Sequence, residues 1–343
     1  MLKPSVFLAS LFSSLLLTAN AETFKAPLVN QSLLLDAYSN GHNIVVGERG
    51  HVIIDSQGSG NFSQADVPMA VTLTSVDAVG DKIWVAGHDA TIMYSPDGGT
   101  TWSVQMHQPE LERPFLDILF LNESEGIAVG AYGLFYRTID GGNTWTAEQH
   151  ATLLNPLDIE YLEEIRAEDE AFYLEELNSI LPHINRVVQV NDDLYAAGET
   201  GLLAKSTDFG RSWQRTELDY FGSFFDVAPL SDGVMIAVGL RGAIYAYDSA
   251  DTLQTWNRIE SCTVSTLNSV MLKDADNALV VGNNGAVLSI NLPQLKGAMN
   301  GECGNNGISV SQIPSKSAIA TLINVNDGYT AVTSDGLQQL EVE

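Results

Sequence analysis

The sequence predicts an all-β chain closed into a seven-bladed β-propeller. Three observations carry that expectation: seven copies of one strand–turn–strand unit, a spacing near 42 residues between most copies, and three copies of an eight-residue turn pattern. A repeat of about 40–50 residues is the length of one four-stranded blade. The 343 residues are 45% hydrophobic and 17% charged, a balance that suits a packed globular protein.

The first element in chain order is a leader. MLKPSVFLASLFSSLLLTANAE holds Lys3, then an apolar run, then Ala19-Asn20-Ala21, a small-x-small cleavage pattern. It reads as a secretory signal peptide over residues 1–21, with a membrane anchor as the alternative. The run is short and Ser-rich for a span. The expected location is periplasmic, without membrane insertion after cleavage, and the propeller is expected over residues 22–343.

The repeat units follow. They read IVVGERGHVII (44–54), WVAGHDATIMY (84–94), IAVGAYGLFYR (127–137), YAAGETGLLAK (195–205), IAVGLRGAIYA (236–246), LVVGNNGAVLS (279–289) and a worn TAVTSDGLQQL (330–340). The leading Gly stands at Gly47, Gly87, Gly130, Gly198, Gly239 and Gly282, with Thr333 seventh, so the spacings are 40, 43, 68, 41, 43 and 51. A short strand precedes each unit, from SLLLDAYS (32–39) to ATLINV (320–325). Each blade is thus expected to run inner strand, second strand, Gly-x-x-Gly turn, third strand, outer strand. The seventh copy stops after its third strand, and ETFKAPLVN (22–30) is expected to supply the missing outer one, removing an open edge.

Between third and outer strands stand SPDGGTTW (95–102), TIDGGNTW (138–145) and STDFGRSW (206–213). Asp97, Asp140 and Asp208 can accept hydrogen bonds from turn N–H groups. Gly99, Gly142 and Gly210 can take positive φ. Trp102, Trp145 and Trp213 open the outer strand, where a large ring packs between blades. A degenerate fourth copy ends in Trp256. A pattern repeated once per blade points to structure, because an active site is needed once.

Alternating strand direction puts the Gly-x-x-Gly turns and the links between blades on one face. The variable pairs there are Glu48-Arg49, His88-Asp89, Ala131-Tyr132, Glu199-Thr200, Leu240-Arg241, Asn283-Asn284 and Ser334-Asp335. They would ring the channel mouth, and loops on a rigid scaffold often carry function. Polar turn residues without a further role are the alternative. Glu48, Arg49, His88, Asp89, Tyr132, Glu199, Leu240, Arg241, Asn283 and Asn284 are the candidates for a partner-binding face.

The 68-residue spacing holds an insertion of about residues 155–183, with nine carboxylates and Arg166 for a net charge of −8. Pro156 can start a helix and Pro182 end one. Leu162, Ile165, Phe172, Leu177 and Ile180 approximate a helical stripe, interrupted at Asp169. One helix or two short ones are expected, either a solvated flap or a partner-docking element. A Gly- and Asn-rich stretch, about residues 296–307, reads as a loop before the last blade and contains Cys303. With Cys262 it makes a pair that suggests one disulfide in an exported chain, with free thiols as the alternative.

The formal net charge of −27 opposes nucleic-acid binding. It suits either simple solubility or a basic partner surface. No zinc spacing, calcium loop, nucleophile elbow or phosphate loop occurs. No catalytic residue, metal or cofactor is therefore expected.

The octets resemble the Asp-box (BNR) repeat of sialidases and sortilin-type receptors. Sialidases carry Phe/Tyr-Arg-Ile-Pro in their first strand, where this chain reads Phe24-Lys25-Ala26-Pro27. A glycan-active enzyme or lectin of that type is the alternative reading. A resemblance over nearly the whole mature chain is carried by PFLDILFLNESEGIAVGAYGLFYRTIDGGNTW (114–145). It resembles the blade unit of the photosystem II stability/assembly factor family. That resemblance implies an exported or lumenal seven-bladed propeller, not an enzyme, that binds membrane-protein subunits. Photosynthetic members carry an arginine-rich patch, of which only Arg49 and Arg241 match here in type and place. Similar propellers in non-photosynthetic bacteria are associated with membrane transport systems. The implied partner is an integral membrane protein or complex such as a transporter.

Overall fold

Each sequence unit folds as one antiparallel sheet whose strands pair in chain order. The computed structural model describes residues 25–40, 42–230, 233–250, 255–297, 302–304, 306–326 and 328–341. The expected leader, residues 1–21, lies outside the described residues. The inner strands of sheets 1 to 7 are Leu34–Ser39, Leu73–Val79, Phe115–Phe120, Ile184–Val190, Phe224–Pro229, Leu267–Leu272 and Ile319–Val325. Each inner strand packs on the next, and the seventh packs on the first, so the sheets close into a ring. This is propeller architecture, with the inner strands around a central channel.

Apolar residues of the second and third strands fill the spaces between sheets. Val45, Val85, Ala128, Ala197, Ala237, Val280 and Val332 are among the residues fully or almost fully buried there. The octets seal the outside of these layers. Trp102 packs with the core of sheets 1 and 2, Trp145 with that of sheets 2 and 3, Trp213 with that of sheets 3 and 4. Each indole thus ties its own sheet to the preceding one. In the first octet Asp97 Oδ1 accepts from Thr101 N–H at 2.8 Å, and Gly99 N–H donates to Ser95 Oγ at 2.8 Å. The other two octets repeat these bonds at 2.8–2.9 Å. Gly99, Gly142 and Gly210 have φ of 88°, 87° and 74°.

Among the described residues six sheets have four strands and the seventh has three. The expectation that residues 22–30 complete sheet 7 fails over its described part. Residues 25–28 form no strand, and Val29–Gln31 makes a single 3-10 turn. The physical cause lies in sheet 1, which holds this segment. Lys25 Nζ donates to Gln64 O at 2.8 Å and pairs with Asp66 at 2.7 Å, while Ala26 N–H donates to Gln64 Oε1 at 2.9 Å.

The insertion folds as two helices, α1 (Pro156–Glu168) and α2 (Glu170–Ile180). Asn155 caps α1, accepting from Asp158 N–H, and Asp169 caps α2, accepting from Ala171 and Phe172 N–H. The break at Asp169 resets the helical phase. Tyr173 is therefore buried with Leu162 and Leu177, and Phe172 leaves the expected stripe with 45% exposure.

The Gly- and Asn-rich stretch sits inside sheet 6, between its third and fourth strands. It begins within a short helix, α3 (Leu292–Gly297), which the loop reading missed, and Ile308–Gln312 follows as the fourth strand. Cys303 is bonded to Cys262, with Cα atoms 5.5 Å apart. The bond fastens this loop to the link between sheets 5 and 6.

Candidate functional site

The Gly-x-x-Gly turns build the rim of the channel. In all seven, the N–H after the leading residue donates to the carbonyl just before the inner strand of its own sheet. Glu48 bonds Leu33, His88 bonds Thr72 and Ala131 bonds Pro114, at 2.9–3.1 Å. Glu199, Leu240, Asn283 and Ser334 bond His183, Ser223, Thr266 and Ala318 at 2.8–3.0 Å. The leading Gly is required by this approach, because a Cβ at Gly47 or Gly239 would overlap that same carbonyl oxygen. The second variable residue takes the left-handed conformation at Arg49, Asp89, Tyr132, Thr200, Arg241 and Asn284, with φ of 51–58°. All six are exposed.

The ten residues expected to form a binding face divide into two groups. Glu48 and Glu199 fold back onto the link and Asn283 onto the inner strand: Glu48 Oε1 accepts from Leu33 N–H at 3.4 Å, Glu199 Oε2 from His183 N–H at 3.3 Å, and Asn283 Oδ1 from Asn268 Nδ2 at 2.9 Å. Arg49, His88, Asp89, Tyr132, Leu240, Arg241 and Asn284 stand on the exposed rim. Arg49 lies 3.8 Å from Glu48, and Tyr132 stacks edge-on with His183 at 4.6 Å.

Sequence reasoning missed the centre of this face. All seven inner strands carry a register shift at their second residue. A bulge of this kind re-aims a side chain. The seven bulge residues, Leu35, Thr74, Leu116, Asn185, Phe225, Asn268 and Ala320, line one funnel of about 400 Å³ at the channel mouth. Its wall is mainly apolar, with amides at Asn185, Asn268 and Asn283.

Below the funnel lies a polar belt made by the third residue of each inner strand: Asp36, Ser75, Asp117, Arg186, Asp226, Ser269 and Thr321. Arg186 Nη1 is 3.4 Å from Asp117 and 3.5 Å from Asp36, and its Nε is 3.7 Å from Asp226. The belt also latches sheet to sheet. Asp36 accepts from Val76 N–H at 3.0 Å, Ser75 from Ile118 N–H at 3.2 Å, Asp117 from Val187 N–H at 2.6 Å, and Asp226 from Val270 N–H at 2.9 Å. Asp77, two residues further along sheet 2, accepts from Phe120 N–H at 2.6 Å. Burial raises Asp36, pushes Asp117 up to about 6 and pushes Asp77 up to about 7. Asp117 in turn raises Arg186 above its ordinary value. The sequence signal was available, since every inner strand has a polar third residue between an apolar first and an apolar fourth one.

The α1–α2 pair is clamped to this face. Arg113 donates to Tyr132 O at 3.3 Å and to Asn178 O at 3.0 Å, joining the third turn to α2. Arg215 donates to Leu153 O and Thr200 O at 2.5 Å each. Leu157, Tyr161, Phe172 and Leu174 point to solvent among the acidic residues. Among the described residues no group of His, Cys, Asp and Glu is arranged to hold a metal ion, and no helix is long and apolar enough to cross a membrane.

Residues 104–293, more than half of the chain, match the family described as photosynthesis system II assembly factor YCF48. The chain belongs to this family. The photosystem II assembly lipoprotein Ycf48 of Synechococcus sp. (strain CC9902) is 28% identical over 138 residues, 38% of this chain and 41% of that protein. The photosystem II assembly protein Ycf48 of Synechococcus sp. (strain JA-2-3B'a(2-13)) is 32% identical over 62 residues, 18% of this chain and 19% of that one. The matches thus span less than half the length of either curated relative. Among solved structures, YCF48 bound to D1 peptide is similar with a TM-score of 0.64 and 14% identity, over 92% of this chain and 95% of that one. YCF48 from Cyanidioschyzon merolae gives 0.62 and 16%, over 91% and 96%. At these identities the likeness shows the family's fold; the WD40 propeller domain of Doa1 is similar too, at 0.58 and 13%, over 90% of this chain and 93% of that one.

Proposed function

We propose that this chain is an exported, non-enzymatic assembly factor, a seven-bladed propeller with Asp-box turns working in the periplasm. It binds an integral membrane protein or membrane complex, such as a transporter, on its Gly-x-x-Gly face. Family membership supports an assembly role, and one solved relative is YCF48 bound to D1 peptide.

The observation that carries the choice of surface is the clamped α1–α2 pair. It sets Leu157, Tyr161, Phe172 and Leu174 beside nine carboxylates at the edge of the rim. Two nearby arginines, Arg113 and Arg215, are committed to carbonyl groups. A face of this charge suits a partner with basic residues flanking an apolar stretch. The departure from an arginine-rich surface favours a partner other than a photosystem, in a non-photosynthetic bacterium.

The glycan-active alternative needs arginines free to hold a substrate carboxylate. Among the described residues Arg186 is the arginine at the channel axis, and three aspartates surround it. Those aspartates are themselves held by backbone N–H groups, which suits a latch better than an acid–base pair.

The test is a crosslinked pull-down of the mature protein from its native envelope, read by mass spectrometry. Enrichment of one integral membrane protein, lost on deleting residues 157–181, supports the reading. Unchanged recovery after that deletion removes the helices from the binding surface. Recovery of no membrane protein overturns the function.

A further inference from the structure

The third strand of sheet 7, Gly336–Leu340, pairs with Gly328–Thr333 on its inner side. On its outer side no strand pairs with it among the described residues. In sheet 6 the corresponding strand pairs along its length with Ile308–Gln312, from Ala286 opposite Gln312 to Ile290 opposite Ile308. Aligning Gly285 with Gly336 puts residues 337–341 at the paired positions 286–290. An edge of this kind presents unpaired N–H and C=O groups and templates an added strand.

The edge borders a groove of about 690 Å³ whose other wall is the outer strand of sheet 6. Val310, which is 44% exposed, and Ile313 stand on that wall, and Glu341 is the one charged residue in the lining. In a chain of net charge −27 the groove carries this single charge. A segment bearing several charges would lose hydration there with at most one partner to gain.

The described amino-terminal residues, 25–31, pass the edge by. Asn30 keeps the course of the other links, its carbonyl meeting Gly336 as that of Met69 meets Gly50 and that of Tyr220 meets Gly201. Upstream, Lys25 and Ala26 are fastened to Gln64 and Asp66 of sheet 1. We propose that the open edge at residues 337–341 takes an extended, uncharged segment of a second protein as a fourth strand. Backbone hydrogen bonds hold it, and alternate apolar side chains pack against Val310 and Ile313. The site is separate from the Gly-x-x-Gly face and does not depend on the role given to that face.

A labelled peptide copying residues 307–313, Gly-Ile-Ser-Val-Ser-Gln-Ile, is a suitable probe, because that strand fills this place in sheet 6. It is added to the full chain, and fluorescence anisotropy and amide hydrogen exchange are read. The expected result is saturable binding that slows exchange at residues 337–341. N-methylation of alternate peptide amides should weaken it by about tenfold or more. No saturable binding, or binding indifferent to methylation, overturns the proposal. So does protection of residues 337–341 without peptide, if it is lost in a chain starting at Lys25 or if it rises with protein concentration. The first of those results would give the edge to the chain's own amino terminus, the second to another copy.

Discussion

At Gly239 the backbone is extended, with φ of −169°, and a Cβ would overlap the carbonyl oxygen of Ser223. The rim therefore depends on close approach, not on a left-handed backbone, at its leading residue. Gly239→Ala should lower stability by roughly 3 kcal/mol, measured by denaturant unfolding. The ionisable residues give effects of opposite sign. Burial, above all, pushes Asp77 up to about 7 from 3.8. The folded state then holds the proton better, so this contribution is full below about pH 4 and lost as pH rises through about 7. Asp77 as a residue is only half-buried, so Asp77→Asn should remove about 2 kcal/mol of that dependence, less than the full shift implies. Asp208 behaves the other way. The Ser212 hydroxyl, first, and its N–H hold it down to about 2. Its contribution is present above about pH 4 and lost as pH falls through about 2, and unfolding curves of Asp208→Asn against pH should show that loss removed.

The helices of the insertion are held by a few bonds from outside them. Replacing Arg113 and Arg215 together by Ala should free α1–α2, seen as faster limited proteolysis within residues 157–181 at an unchanged unfolding midpoint of the ring. An unchanged cleavage rate would mean that the apolar contacts of Leu162, Tyr173 and Leu177 suffice. Reducing the Cys262–Cys303 bond, which spans 41 residues, should lower stability by about 3 kcal/mol in the same unfolding assay. Elements of this kind were legible in the sequence to different depths. The Gly-x-x-Gly turns could be read because one residue type is forced at each leading position, with Thr333 the exception. The insertion could be read from its charge and its prolines, yet Phe172 was misplaced. The capping at Asp169 restarts the helix, and a stripe extrapolated across it loses phase. The belt escaped because its seven positions carry four residue types, Asp, Ser, Arg and Thr, which share only polarity and place. The bulges escaped because a register shift leaves no residue signature of its own.

The whole ring is closed by packing of sheet 7 on sheet 1, without a shared fourth strand among the described residues. Its two ends of assembly meet through Leu34, Val45, Ile323 and Val332, which form one apolar cluster. Closure by side chains alone is weaker than closure by a hydrogen-bonded strand, so exchange should be fastest in sheet 7. Amide exchange measured sheet by sheet checks this, and equal protection in all seven would contradict it. The face opposite the octets shows how fold and specificity separate. Seven of the residues lining the funnel stand each on its own bulge, while the strands that carry the bulges are held by backbone pairing. The wall works like a dial lock of seven wheels. Each wheel can be turned by one codon while the case stays shut, so one shape can present very different channel mouths.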